Sequence, residues 1–323
     1  MAKKTVLVVG GAGFVGSHVN KMLNQADYNT IVLDNLSTGS RQAVTRGKFI
    51  EGDMANTELL NEIFTTHSID AVMHFAAFID VGESVTNPLK YYQNNVVNTL
   101  NLLEAMLRYD VKTFIFSSSA AIFGIPQEKT IRENHPSHPI SPYGASKLMV
   151  ERILRDFDKA YNMKSSCLRY FNAAGGDPEG EIKSYKQKET NLIPIVLRSL
   201  RNGTTPITIN GSDYPTPDGT CIRDYIHICD LGGAHILAME QLFNGHPSTQ
   251  YNLGNGEGFS VQEVIQAVRK VTGIPPKTTV GPRRPGDAPT LLANSEKAHK
   301  ELHWTPKYPK LETMIQHAWH AFP

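Results

Sequence analysis

The stretch Thr5-Val6-Leu7-Val8-Val9-Gly10-Gly11-Ala12-Gly13-Phe14-Val15-Gly16 decides the fold of this chain. A short run of strand-forming residues enters a cluster of glycines, and an amphipathic run, Phe14–Gln25, leaves it at once. Gly10, Gly13 and Gly16 each have a mechanical task at such a strand-to-helix turn. Gly10 allows the tight turn. Gly13 lets the backbone approach a pyrophosphate at the helix N-terminus, where open N–H groups and the helix dipole favour an anion. Gly16 lets the helix pack closely on the sheet. The context of the glycines, more than the glycines themselves, predicts a dinucleotide site.

Working outward, the first half keeps the same rhythm. Thr30–Asp34, Lys48–Asp53, Asp70–Ala76, Thr113–Ser118 and Lys164–Tyr170 read as strands. Between them Thr57–Thr66 reads as a helix capped by Asn56, and Pro88–Tyr109 as one long helix. A further helix opens with Ser141 as cap and Pro142 at its first position. Alternating helices and near-continuously apolar strands predict an α/β fold, a doubly wound parallel sheet of the Rossmann type. The rhythm breaks after Asn172. Asp177–Thr190 reads as a long loop, followed by a helix around Asn191–Arg201 and a strand around Pro206–Asn210. Ser260 and Glu263 form a capping box ahead of Val261–Val271. We therefore expect a dinucleotide-binding domain over 1–175, with a later segment of about 222–245 returning to it. Residues 176–323 would form mainly a smaller α/β substrate lobe.

Bulk properties narrow the partners. The chain has 323 residues, enough for about two domain-sized units. Its formal net charge of +1 offers no electrostatic footprint for nucleic acid or anionic membrane. Any anionic ligand must be held by a few placed groups. The three cysteines, Cys167, Cys221 and Cys229, show no metal spacing and read as buried thiols of a reducing compartment. No stretch is long and apolar enough to span a bilayer or serve as a secretion signal. The expectation is a cytoplasmic protein with no nucleic-acid, membrane or metal partner.

Asp34 ends the second strand. A carboxylate there accepts hydrogen bonds from the adenosine ribose and repels a 2′-phosphate, which favours NAD over NADP. Asn35 beside it, Asp53 with Met54, and Phe75, Ala76 and Ala77 lie at or just beyond strand ends, where ligands of such sheets sit. With Gly10, Gly13, Phe14, Val15 and Gly16 they are the candidate cofactor contacts. Tyr143 and Lys147 share one face at the start of a helix. Ser117-Ser118-Ser119 ends the strand before it. A free phenol, with a pKa near 10, is a poor base at neutral pH. A neighbouring ammonium and a positively charged nicotinamide both favour the phenolate. Ser119 is placed to orient a substrate hydroxyl. Alone, a Tyr and a Lys at this spacing form an ordinary surface pair; after a dinucleotide site they read as a proton-and-hydride site.

The glycine stretch and Tyr143-Gly144-Ala145-Ser146-Lys147 resemble the extended short-chain dehydrogenase/reductase family, and within it the UDP-glucose 4-epimerases. Matching segments run along the chain: His74–Ala77, Val81–Ser84, Tyr91–Asn95, Phe116–Ala120, Leu168–Asn172, Asp218–Thr220, Arg223–His227, Tyr251–Gly254 and Arg283–Asp287. The resemblance implies reversible C4 epimerisation of a UDP-hexose through a 4-keto intermediate, with tightly bound NAD. In it Ser119, Tyr143 and Lys147 are catalytic, and Asn94, Ser117 and Tyr170 join Tyr143 and Lys147 as cofactor contacts. Arg223 and Arg284 would grip the diphosphate, Asp287 the uridine ribose, and Asn172 and Asn191 the substrate. It also implies a homodimer built on the Tyr143 helix and Pro88–Tyr109.

Four positions depart from the pattern. Ile79 replaces a lysine of some members, Ala121 a threonine and Phe123 a tyrosine. Leu291 stands where a bulky tyrosine walls the sugar pocket of enzymes limited to glucose and galactose. Its intermediate size leads us to expect that UDP-N-acetylglucosamine is also accepted. A 4,6-dehydratase would need an Asp-Glu pair where Ala120-Ala121 stand. A UDP-glucuronate epimerase or decarboxylase stays open, because one side chain could decide it. A non-catalytic NAD(H) sensor would have no need of Tyr143 with Lys147.

Overall fold

The structure is a computed structural model that describes residues 3–184, 189–203, 205–284 and 287–322. Residues 185–188 of the expected loop, and Pro285 and Gly286 of the Arg283–Asp287 segment, lie outside the described residues.

In chain order the elements are β1 Thr5–Val9, α1 Phe14–Gln25, β2 Asn29–Asp34, β3 Lys48–Glu51, α2 Thr57–Thr66, β4 Ala71–His74, α3 Val81–Thr86, α4 Pro88–Tyr92, α5 Asn98–Arg108, β5 Thr113–Ser119, β6 Thr130–Ile131, α6 Pro142–Tyr161, β7 Lys164–Tyr170 and β8 Asn172–Ala174. The second half adds α7 Leu192–Asn202, β9 Ile207–Asn210, β10 Ile222–His227, α8 Ile228–Phe243, β11 Thr249–Leu253, β12 Gly258–Ser260, α9 Val261–Thr272, β13 Thr278–Gly281, β14 Thr290–Ala293, α10 Glu296–Glu301 and α11 Leu311–Ala321. The chain divides into two compact units. The first gathers Met1–Gly124, Pro136–Arg169 and Gly232–Tyr251; the second gathers Ile125–His135, Tyr170–Leu231 and Asn252–Pro323. The late segment that joins the first unit is thus Gly232–Tyr251, where the sequence placed it at about 222–245.

The first unit is built on a seven-stranded sheet in the order β11-β7-β5-β4-β1-β2-β3. Val6, Leu7, Val8, Val72 and Phe114 are fully buried, as strands covered on both faces must be. Parallel pairing sets Val6 opposite both Thr30 and Ala71. Strand order reverses at β1/β4. The chain leaves β1 toward β2 on one side and later returns to β4 on the other, opening a crevice above the strand ends.

The expected long helix over Pro88–Tyr109 is a correction. A π turn, Gln93–Val97, interrupts it between α4 and α5. The apolar periodicity runs through the break, so the sequence reads as continuous. Asn95, 3% exposed, lies within the break. Its amide accepts from the Phe78 N–H and donates to the Phe78 carbonyl, both at 3.0 Å, and donates to Ser146 Oγ at 3.1 Å. The π turn thus carries a buried amide that binds this loop from within a helix.

The second unit carries a smaller sheet in the order β12-β10-β14-β6, with β8 also on β10, and a separate β9–β13 pair. Ile193, Val196, Leu197, Val264, Val268, Met314 and Ile315 form its helical core. The Ser260/Glu263 capping box is present, with bonds of 3.0 and 2.7 Å. Cys167 and Cys221 are buried, but Cys229 is only partly so, contrary to the expectation for all three. Among the described residues no helix is long and apolar enough to cross a membrane, and no cluster of three or more His, Cys, Asp or Glu could hold a metal.

Candidate active site

The crevice of the first unit is lined by Gly10, Gly13, Asp34, Asn35, Asp53, Met54, Phe75, Ala76, Ala77 and Asn94. Ten of the candidate cofactor contacts thus come together. Gly10 has φ +80°, and a Cβ there would lie 2.4 Å from the Ala76 nitrogen. Only glycine permits that approach. Gly16 is equally constrained, since a Cβ would stand 2.3 Å from the Gly10 carbonyl oxygen. α1 begins at Gly13 without a side-chain cap or an acidic residue in its first turn, leaving its start open to an anion. Phe14, Val15 and Gly16 form that first turn and do not line the crevice. Asp34 is 8% exposed. Its carboxylate accepts from the Ala12 N–H at 2.9 Å and the Leu36 N–H at 2.8 Å. Burial raises its pKa, and the two N–H groups oppose the rise. This glycine cradle, open helix start and fixed carboxylate fit a dinucleotide. Ser37 and Thr38 also line the crevice. Sequence reading passed over them, although a Ser/Thr/Gly turn straight after Asp34 was the available signal.

The Tyr143 and Lys147 pair stands at the start of α6, where Ser141 Oγ accepts from the Gly144 N–H at 3.2 Å. Lys147 Nζ donates to the Ser117 carbonyl at 2.8 Å. The Ser119 hydroxyl hydrogen-bonds the Tyr143 phenol, and Ser119 Oγ accepts from the Ala121 N–H at 3.1 Å. Ser117, Ser119, Tyr143 and Lys147 are therefore one constellation. Lys147 is 3% exposed, and burial pulls its pKa down to about 7 against the upward pull of Glu151. The Tyr143 phenol is pushed up by burial, with the Ser119 bond opposing. The lowered phenol expected from the sequence requires the charged nicotinamide beside it as well as the ammonium. In the protein alone desolvation wins, because the Lys147 ammonium is itself weakened and turned to Ser117. His74, buried behind the pair, is pulled down to about 3 by burial and by the Lys147 charge, and so is neutral.

The second unit holds a cavity of about 530 Å³, within the usual range for small-ligand sites. Asn172, Asn191, Arg223, Arg284 and Asp287 all line it. Arg223 is anchored by bonds to the Ile222 and Ala288 carbonyls at 2.9 and 2.8 Å. Asp287 stands between the two arginines, 3.3 Å from Arg223 Nη2 and 2.9 Å from Arg284 Nε. Asn172 Nδ2 donates to the Asp224 carbonyl at 2.9 Å. Leu291 pairs with Arg223 across β14 and β10 but does not line the cavity. Tyr170 ends β7.

Residues 6–254 match the model of the NAD dependent epimerase/dehydratase family. The chain belongs to that family. A curated member, the UDP-glucose 4-epimerase of Halalkalibacterium halodurans, is 50% identical over 314 residues, 97% of this chain and 94% of that one. Among solved structures, UDP-glucose 4-epimerase from Brucella ovis in complex with NAD is 43% identical with a TM-score of 0.95, over 98% of this chain and 97% of that one. The enzyme from Bifidobacterium longum in complex with NAD+ and UDP is 37% identical with a TM-score of 0.92, over 98% of each chain. Similarity to this family thus extends through both units.

Proposed function

We propose that the protein interconverts UDP-glucose and UDP-galactose by reversible oxidation at C4. The observation that carries this reading is Tyr143, bonded to Ser119 and one helical turn from the buried Lys147. Gly10, Gly13, Asp34, Asn35, Asp53, Met54, Phe75, Ala76, Ala77 and Asn94 would hold NAD, with Phe14, Val15 and Gly16 shaping the helix start. When bound, NAD supplies the hydride acceptor and donor for C4 and a fixed positive ring charge. Tyr143 takes the 4-hydroxyl proton and later returns it. Its raised pKa in the protein alone means that this base forms only beside added positive charge. Ser119 orients the 4-oxygen. Lys147 keeps one of its N–H donors on Ser117 and offers others to the nicotinamide ribose. Tyr170 and Ser117 complete the cofactor contacts. Arg223 and Arg284 grip the diphosphate, Asp287 the ribose, and Asn172 and Asn191 the remainder of the substrate.

On this reading the first unit supplies most of the NAD contacts and the second most of the UDP-sugar contacts. The enzyme acts in the cytoplasm, consistent with its free cysteines, of which Cys167 and Cys221 are buried. It forms a homodimer through exposed Val97 and Leu100 near α5 and Met149 on α6. Leu291 does not itself line the cavity, but it is smaller than tyrosine and pairs with the lining residue Arg223, which supports turnover of UDP-N-acetylglucosamine as well; absence of UDP-N-acetylgalactosamine after incubation refutes that extension. The main test is a coupled assay of UDP-galactose conversion without added NAD. Steady production of UDP-glucose is expected. No product from protein with a full complement of NAD overturns the proposal.

A further inference from the structure

Ser117 and Ser119 each serve one member of the Tyr143/Lys147 pair: the Ser117 backbone carbonyl accepts from Lys147, and the Ser119 side chain bonds Tyr143. Ser118 lies between them, and side chains alternate along a strand. Its hydroxyl, 1% exposed, donates to Glu151 Oε1 at 2.6 Å. Glu151 lies on α6 one turn beyond Lys147 and two beyond Tyr143, so all three share a face. Arg169 of the adjacent strand β7 closes on the same carboxylate with bonds of 2.9 Å from Nε and 2.6 Å from Nη2. The Phe123 ring lies 5.4 Å from the guanidinium carbon. The carboxylate is 3% exposed and the guanidinium residue 6%. A buried ion pair of this kind contributes little net stability compared with apolar residues of the same volume. What it contributes is position.

We propose that Glu151 is a positioning residue for the Tyr143/Lys147 pair: pinned by Arg169, it holds Ser118 and so fixes the strand end on which both side chains are seated. This rests on the C4 chemistry proposed above. Glu151 also sets the charge environment of Lys147. The other titratable groups around the ammonium are His74 from β4, which is neutral, and Tyr143, held as a phenol. Cys167 from β7 is a protonated thiol, and the charge of Arg169 is met by Glu151. Glu151 is the one that favours the ammonium.

The test compares full-length wild type, Ser118→Ala and Glu151→Gln, each purified with its bound NAD. UDP-galactose conversion is measured from pH 6 to 9.5, beside NAD content and melting temperature. Ser118→Ala leaves the ion pair intact. It is expected to keep its NAD and its KM, lose about tenfold or more in kcat, and leave the pH profile in place. Glu151→Gln removes the charge that favours the ammonium, so its alkaline limb is expected about one pH unit lower. Wild-type kcat in Ser118→Ala overturns the inference. So does activity lost only in proportion to lost NAD or lost folded protein. If Glu151→Gln does not fold, Ser118→Ala decides alone. An inactive wild type refutes the chemistry itself, and this inference with it.

Discussion

Lys147 ought to weaken the fold that carries it, and the size of the effect can be worked out. Its pKa falls from 10.5 in water to about 7 in the folded protein, because burial penalises the ammonium more than Glu151 supports it. Between those values the unfolded chain binds a proton that the folded chain does not. Stability from this residue therefore rises with pH, by about 1.4 kcal/mol per pH unit, and at pH 7 about 4 kcal/mol is forgone. Lys147→Met removes the buried cation and keeps the apolar stem. Losing the bond to the Ser117 carbonyl offsets about 1 kcal/mol of that gain. Freed of NAD, the variant is expected to melt roughly 5–10 °C higher than wild type at pH 7. The gap should close as pH rises toward 9. The assay is thermal unfolding of both proteins at matched pH values, since titrating groups not coupled to Lys147 cancel in the difference and His74, which is, stays neutral throughout this range. A variant less stable than wild type at pH 7, or a gap that does not change with pH, refutes the reasoning. The same variant should be inactive, which would make Lys147 a residue kept at a cost to the fold.

Three further outcomes are expected. Tyr143→Phe should retain NAD and lose about 10²–10⁴-fold in kcat, read in the coupled assay; a loss under tenfold removes Tyr143 from proton transfer. Gly16→Ala, whose Cβ meets the Gly10 carbonyl oxygen at 2.3 Å, should push α1 off its turn and yield protein without NAD, measured by cofactor release on denaturation. Arg223→Lys keeps the charge but not the planar fork, so KM for the UDP-sugar should rise by about tenfold with kcat little changed.

Legibility in the sequence followed locality. The strand–glycine–helix turn, the Asn56, Ser141 and Ser260 caps and the Tyr143/Lys147 spacing are all set within a few residues, and the structure shows each. The π turn escaped because the partner of its buried Asn95, Phe78, is 17 residues away in sequence. Glu151 escaped for a similar reason. It stands at a core-facing position of α6 beside Val150 and Leu154, an anomaly visible in the sequence, but its partner Arg169 comes only 18 residues later on another element. The upward push on Tyr143 in the protein alone was not legible, because depth of burial cannot be counted from residue types. Phe123, first noted only as a departure, acquires a place beneath Arg169.

Asp287 gives the cavity of the second unit an anion of its own. A ligand that takes Arg223 and Arg284 shares them with that carboxylate or displaces it. A singly charged ion such as chloride offers no more charge than Asp287 already does, and gains little by displacing it. A diphosphate carries more charge and spans both guanidinium groups, so it can outbid the carboxylate. The carboxylate thereby tilts the arginine pair toward multiply charged ligands and away from small anions.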